Sequence, residues 1–359
     1  MNDYPGSKLH QIGPYIGMIR PSLARRLVGD YSKEGDWVWD PFCGSGVIPL
    51  ECRLLSRHVI AADINPYACA LTRAKLHAPI SEDTSFSKLA LATRAFEDLT
   101  QQSLDKAPQW VKSFFNKRTL KETMVLMSEL LRRKQFFNAG CLLSILHHQR
   151  PGFLSYPASH LVPYLRNRLY PRDQYPEAYE YRASIPRLQA KIKRVLASPP
   201  PPPRAQRFRV LKKSALKKYL PDSTMDAVIT SPPYMDALDY ARDNRLRLWF
   251  LGVSDYKTIK EEEIGKGTTF EQDMAIVLQI MSKVIKPGGA CVLVLGDVKH
   301  ADRKYDVPGI ILKLVKTRIR EFALEKRMVE NVPDDRRTRR NGRATQTETI
   351  IVFRRTKGR

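Results

Sequence analysis

The chain has 359 residues, of which 43% are hydrophobic, and carries 61 Lys and Arg against 37 Asp and Glu, a formal net charge of +24. That apolar fraction supports a core and excludes general disorder, the length allows two domains or one domain with an insertion, and the charge points to a polyanion, nucleic acid first. No apolar run reaches membrane-spanning length, the N-terminus has no signal-peptide pattern, and five cysteines without a CxxC pair exclude a disulfide scaffold and the usual zinc ribbons, in keeping with a reducing cytoplasm.

In chain order, a short arm leads to a helix opened by Pro21, with Leu23, Leu27 and Val28 on one face. Trp37-Val38-Trp39-Asp40 reads as a strand running into the tight turn Pro41-Phe42-Cys43-Gly44-Ser45-Gly46. Residues 47–55 have helical spacing, 59–63 form a second strand ending in Asp63, and 66–77 a helix. Strand, glycine turn, helix, strand and acid open a doubly wound α/β sheet. The alternation then stops: residues 80–197 read as helical and irregular. Adjacent His147 and His148 read as structural or surface residues, and no histidine spacing suits a metal.

Ser198 precedes five prolines, Pro199 to Pro203, a stiff connector. The α/β pattern resumes with strands at 208–211 and 226–230, a helix at 273–285, a turn at Pro287-Gly288-Gly289, a strand at 290–295 and a helix at 307–320. Strands at 326–330 and 348–353 should pair as an antiparallel hairpin around an arginine-rich loop, 336–343. The charge is uneven: residues 101–220 hold 24 basic and 6 acidic side chains, a net +18, while residues 1–100 are neutral. The middle of the chain is therefore the expected polyanion-binding surface, with Lys191, Lys193, Arg194, Arg207 and Arg209 among its cations.

Two motifs carry chemistry. The turn Asp40 to Gly46 lacks both the phosphate-binding lysine of a P-loop and the third glycine of a dinucleotide fingerprint. An acid at the strand end would repel a pyrophosphate but suits an ammonium group, and Asp63 is placed to accept from ribose hydroxyls. An amino acid joined to a nucleoside without phosphates describes S-adenosyl-L-methionine; a structural turn with a capping aspartate is the plain alternative. In the second motif the strand 226–230 runs into Ser231-Pro232-Pro233-Tyr234. Two prolines force the backbone rigidly out of the sheet. Carbonyl and hydroxyl acceptors beside a flat ring suit a flipped-out base with an exocyclic amine, although a proline-rich strand exit is common in any α/β protein. Asp239, Tyr240 and Asp243 could line the same pocket or the surface, while Leu246, Trp249 and Phe250 read as core.

Together, Asp40-Pro41-Phe42-Cys43-Gly44-Ser45-Gly46 and Thr230-Ser231-Pro232-Pro233-Tyr234 resemble the cofactor and catalytic motifs of bacterial and phage amino-methylating DNA methyltransferases, the SPPY form being typical of the N4-cytosine branch. The resemblance covers residues 8–78 and 206–355, and the order of motifs is similar to the α arrangement. It implies a Rossmann-like methyltransferase fold, a mostly parallel sheet with an antiparallel C-terminal hairpin and an inserted, largely helical basic subdomain. It divides the chain into a cofactor-binding half (1–79), an inserted target-recognition region (80–205) and a catalytic half (206–359). It further implies S-adenosyl-L-methionine at Asp40, Pro41, Phe42, Cys43, Gly44, Ser45, Gly46, Asp63, Ile64 and Asn65, and catalysis by Ser231, Pro232, Pro233 and Tyr234. The segment from His10 to Tyr15 would line the methionine pocket. The implied partner is double-stranded DNA in the cytoplasm of a prokaryotic or phage-infected cell; whether a cognate restriction endonuclease accompanies the chain stays open, as do N6-adenine, an RNA base, and a non-catalytic DNA-binding role. Val47 stands where such enzymes often carry Thr, and residues 209–216 lack the acid often found at the end of their third strand.

Overall fold

The computed structural model describes residues 6–15, 18–96, 103–147, 153–156, 168–202, 206–233, 240–261, 264, 269–296, 298–300, 303–331 and 347–356. The tyrosine of the second motif, Tyr234, and the arginine-rich loop 336–343 lie outside these residues.

Seven strands form one sheet: β1 (Trp37–Asp40), β2 (His58–Asp63), β3 (Phe208–Lys212), β4 (Met225–Thr230), β5 (Ile285–Gly296), β8 (Phe322–Asn331) and β9 (Thr347–Arg355), while β6 (Val298–His300) and β7 (Arg303–Tyr305) make a separate ribbon. The spatial order is β3-β2-β1-β4-β5-β9-β8. The first five strands are parallel, and β9 runs antiparallel to both β5 and β8, so the expected C-terminal hairpin is present. The expected turn at Pro287-Gly288-Gly289 is instead part of β5, whose pairing with β4 shifts register between Met225 and Ala227. Gly288, at φ 83°, carries the irregularity in a conformation open to glycine.

Strand alternation divides the core. Val38, Ala227, Ile229, Val292 and Val352 face α1 (Pro21–Tyr31) and α2 (Val47–Leu54). Their chain neighbours Trp39, Val228, Cys291 and Phe353 face the opposite layer, which holds α8 (Phe270–Val284) and α9 (Val307–Arg318). A third cluster lies around α3 (Pro66–Leu76). There α4 (Glu82–Thr93), α5 (Lys117–Arg132), α6 (Phe136–Ile145) and α7 (Ser184–Leu196) pack with Tyr67, Leu71 and Ala74 of α3 and with Leu246, Leu248 and Phe250. Gly140 allows α6 to lie close against α3: a Cβ there would fall 2.4 Å from the Ala74 Cβ. The inserted helices therefore share one apolar core with the sheet domain.

That packing corrects one expectation. Lys191 is only 6% exposed, and its ammonium donates to the Gln11 carbonyl at 2.9 Å, tying α7 to the N-terminal arm. Burial lowers its pKa to about 8, and it is not part of the basic surface, whereas Lys193, Arg194, Arg207 and Arg209 are exposed. His147 is buried with Nδ1 2.8 Å from Ser155 Oγ, a structural contact; His148 lies outside the described residues. All five cysteines are buried and free.

Candidate active site

From β1 the chain winds outward through β2 to β3, and from β4 it winds the other way to β5, so the winding reverses between β1 and β4. Ligands of open α/β sheets bind at the carboxyl ends of the strands flanking such a reversal. Asp40 ends β1, Thr230 ends β4, and Asp63 ends β2. Both motifs meet at this edge.

The turn after β1 is built by glycine. Gly44 and Gly46 have φ of 45° and 75°, where an L side chain is strained, and a Cβ on Gly46 would lie 2.6 Å from Thr72 Oγ1. Gly46 N–H donates to the Cys43 carbonyl at 2.7 Å, closing the turn, and Cys43 N–H donates to Ala62 O of β2 at 2.9 Å. Asp63 accepts from Gly44 N–H at 3.0 Å through one oxygen and from Asn65 N–H at 2.8 Å through the other. It thus clamps the glycine turn to the end of β2. Asn65 accepts from Tyr67 N–H at 2.9 Å, capping α3.

Asp40 is buried; its Oδ1 accepts from Thr230 Oγ1 at 2.6 Å and from Phe42 N–H at 3.3 Å. Burial pushes its carboxyl up to about 7, opposed by those two hydrogen bonds and reinforced by the negative charge of Asp63. Burial likewise raises Asp63 to about 6, opposed by the backbone amides of Asn65, Gly44 and Ile64. Two raised acids at one strand edge are the environment in which a cationic ligand would be favoured. Burial also holds the Cys43 thiol well above its usual range, which removes it as a nucleophile.

Ser231 follows β4 directly, and its hydroxyl donates to the Val294 carbonyl of β5 at 3.0 Å. Pro232 is buried, whereas Ser231 and Pro233 are partly exposed at the strand exit. The sequence-predicted residues from Asp40 to Gly46, from Asp63 to Asn65 and from Ser231 to Pro233 are therefore gathered along the C-terminal edge of three neighbouring strands. Within the segment from His10 to Tyr15, the far end reaches the turn: a Cβ on Gly44 would lie 3.3 Å from the Tyr15 ring. His10 instead pairs with buried Glu51 of α2 at 2.8 Å. Sequence reasoning placed Thr230 in the second motif without a role and missed Thr72. Thr72 lies behind the turn, its hydroxyl 3.4 Å from both Cys43 Sγ and the Gly44 carbonyl. The signal for both was a hydroxyl on an otherwise apolar strand or helix face. Among the described residues no group of three His, Cys, Asp or Glu could hold a metal ion, and no helix is long and apolar enough to cross a membrane.

The fit of an amino-acid nucleoside rests on this geometry. Asp40 offers a buried carboxylate to an ammonium, Asp63 offers a partly exposed carboxylate at the next strand, and the turn between them carries two glycines at positive φ.

The DNA methylase family profile matches residues 11–74. The type II methyltransferase M.BsoBI of Geobacillus stearothermophilus is 24% identical over 273 residues, 67% of this chain and 52% of that protein. The type II methyltransferase M.MjaII of Methanocaldococcus jannaschii is 34% identical over 68 residues, 19% of this chain and 13% of that protein. The chain thus spans about half the length of the first relative and a smaller share of the second. Among solved structures, an rRNA methylase from Streptococcus thermophilus aligns with TM-score 0.36 at 7% identity, covering 95% of this chain and 99% of that one. A SAM-dependent methyltransferase from Methanosarcina mazei aligns with TM-score 0.37 at 11% identity, covering 92% and 98%. The matched segment, residues 11–74, contains the glycine turn and Asp63, so a mixed α/β fold with a seven-stranded sheet is joined to similarity with DNA methylases over the part that holds the candidate cofactor site.

Proposed function

We propose that the chain transfers a methyl group from S-adenosyl-L-methionine to the exocyclic N4 amine of a flipped-out cytosine in double-stranded DNA. The observation that carries this reading is the Ser231 hydroxyl. Its proton is committed to the Val294 carbonyl at 3.0 Å, so only lone pairs remain for a ligand. A hydroxyl fixed in that way can accept from an amine.

In this reading the cofactor supplies an electrophilic methyl group. Asp40 receives its ammonium, Asp63 its ribose hydroxyls, and the segments from Asp40 to Gly46 and from Asp63 to Asn65 surround it. Ser231 Oγ and the Pro232 carbonyl accept the two amine hydrogens. Those hydrogen bonds favour a more tetrahedral nitrogen, whose lone pair is less delocalised into the ring and more nucleophilic. Tyr234 holds the base by stacking, and positioning supplies most of the rate gain. No cysteine nucleophile takes part.

Charge supports a nucleic-acid substrate. Lys212 and Lys213 are exposed where β3 ends, and Lys212 is in register with Asp63, so cations border the same sheet edge. We assign target recognition to residues 80–205 and the catalytic fold to 1–79 and 206–359. Both relatives are named type II methyltransferases, and a restriction–modification setting for this chain belongs to the same proposal. Cytosine is proposed over adenine because Ser at position 231 is the form typical of the N4-cytosine branch that the motif resembles.

Duplex DNA methylated by the purified chain, digested to nucleosides and analysed by mass spectrometry, should yield N4-methyldeoxycytidine. N6-methyldeoxyadenosine alone would overturn the base assignment, and label entering only RNA would overturn the substrate.

A further inference from the structure

We propose that Thr230 is a positioning residue: its hydroxyl holds the Asp40 carboxylate in one orientation for the cofactor's ammonium group, so that the strand carrying the target loop also sets cofactor affinity. This rests on the cofactor site proposed above.

The Thr230 hydroxyl lies 2.6 Å from Asp40 Oδ1 and is fully buried. The only other hydrogen bond to that carboxyl among the described residues is the longer one from Phe42 N–H, 3.3 Å, to the same oxygen. Two donors on one oxygen fix the plane of the carboxylate. Among the described residues, the groups that face Asp40 electrostatically are Asp63 at the end of β2, Cys43 in the turn, Cys52 on α2 and Tyr219 in the segment before β4. None is a cation. Thr230 is therefore the strongest contact that favours the ionised form before a ligand arrives.

The hydroxyl is not needed to hold the strand. β4 is already laddered to β1 and to β5 by its backbone, and valine fills the same volume. The next residue makes the complementary bond, from Ser231 to β5. Two consecutive hydroxyls thus stitch the end of β4 to both neighbours, one toward the cofactor acid and one beside the target amine.

Calorimetric titration of the full chain with S-adenosyl-L-homocysteine, which keeps the amino-acid and nucleoside parts, tests this. Thr230→Val should weaken binding about tenfold or more at pH 6.5, since a hydrogen bond to a charged group is removed. Without that donor Asp40 ionises at higher pH, and binding needs the ionised form. The deficit should therefore shrink as pH rises to 8.5; the ligand's own amine titrates identically in both proteins. Thr230→Ser should bind within about threefold of the parent, and in an Asp40→Asn background Thr230→Val should change affinity by less than about twofold. If Thr230→Val does not fold, Thr230→Ala serves in its place. Unchanged affinity in the valine variant, a deficit independent of pH, or failure of serine to rescue would overturn the proposal and leave the cofactor site standing. Failure of the parent chain to bind the ligand would overturn both.

Discussion

Gly44 and Gly46 belong to one motif, yet the structure assigns them unequal costs of substitution. At Gly46 an added methyl meets two penalties. The backbone φ of 75° disfavours any L residue, by about 1–2 kcal/mol. The new Cβ would also lie 2.6 Å from Thr72 Oγ1 and 2.8 Å from Thr72 Cα, and a Cα cannot rotate away. Overpacking of this kind costs about 1–3 kcal/mol more. Gly46→Ala should thus destabilise by about 2–5 kcal/mol in all. At Gly44 the φ of 45° brings the same backbone penalty, but the nearest atom is a Tyr15 ring carbon at 3.3 Å, which can yield by a few tenths of an ångström. Gly44→Ala should cost only about 1–2 kcal/mol. Urea unfolding followed by circular dichroism, without cofactor, measures both. Equal losses, or a Gly46→Ala variant as stable as the parent, would refute the argument from Thr72.

Three further outcomes are expected. Asp40 and Asp63 have folded-state pKa values raised to about 7 and about 6, so their ionisation opposes folding, with the cost absent below the unfolded value near 4 and complete above the folded one. Asp40→Asn should therefore raise the melting temperature of the cofactor-free protein at pH 8 while weakening S-adenosyl-L-methionine binding; a lower melting temperature would mean that the charged form is otherwise stabilised. Ser231→Ala should lower the single-turnover methylation rate by about tenfold to a hundredfold, as removal of a transition-state hydrogen bond of about 1.5–3 kcal/mol requires, with cofactor affinity kept within about twofold; equal losses in both would place Ser231 in ground-state binding. Charge reversal at Lys193, Arg194, Arg207 and Arg209 should flatten the slope of log DNA affinity against log salt by about 0.9 for each phosphate no longer neutralised, whereas Lys191→Met should leave it unchanged because that ammonium is already bound to Gln11; an unchanged slope in the first variant places DNA elsewhere.

The parts of the fold legible in the sequence were those fixed locally. The glycine turn could be read because only glycine populates the φ of Gly44 and Gly46 without strain, and β1, β2 and β4 because each is a short apolar run closed by a polar residue. Lys191 was misread because composition counts charges without saying where an alkyl chain is buried; its neighbours Leu188, Ile192 and Val195 are all in the core. Pro287-Gly288-Gly289 has turn chemistry, yet Ile285 before it pairs with β4 and the residues from Ala290 after it pair with β4 and β9, so it falls within one long strand with an irregular register. The bond from Thr230 to Asp40 joins residues 190 positions apart, and no local pattern announces such a partner.

That separation also dictates an order of events during synthesis. β1 and β2 pair early, from residues only about twenty apart, but the opposite edge of β1 waits for β4, with Val38 in register with Ala227. At about 5–20 residues per second, the ribosome takes on the order of 10–40 seconds to deliver that partner. Throughout this interval the nascent chain presents an open apolar strand edge, the kind of surface that recruits stray strands and chaperones. Helices α4 to α7 emerge meanwhile and can already cover α3, so this part of the molecule is able to condense beside a sheet edge that is not yet complete. Pausing the ribosome before β4 should therefore yield a compact, aggregation-prone species unable to retain the methyl donor.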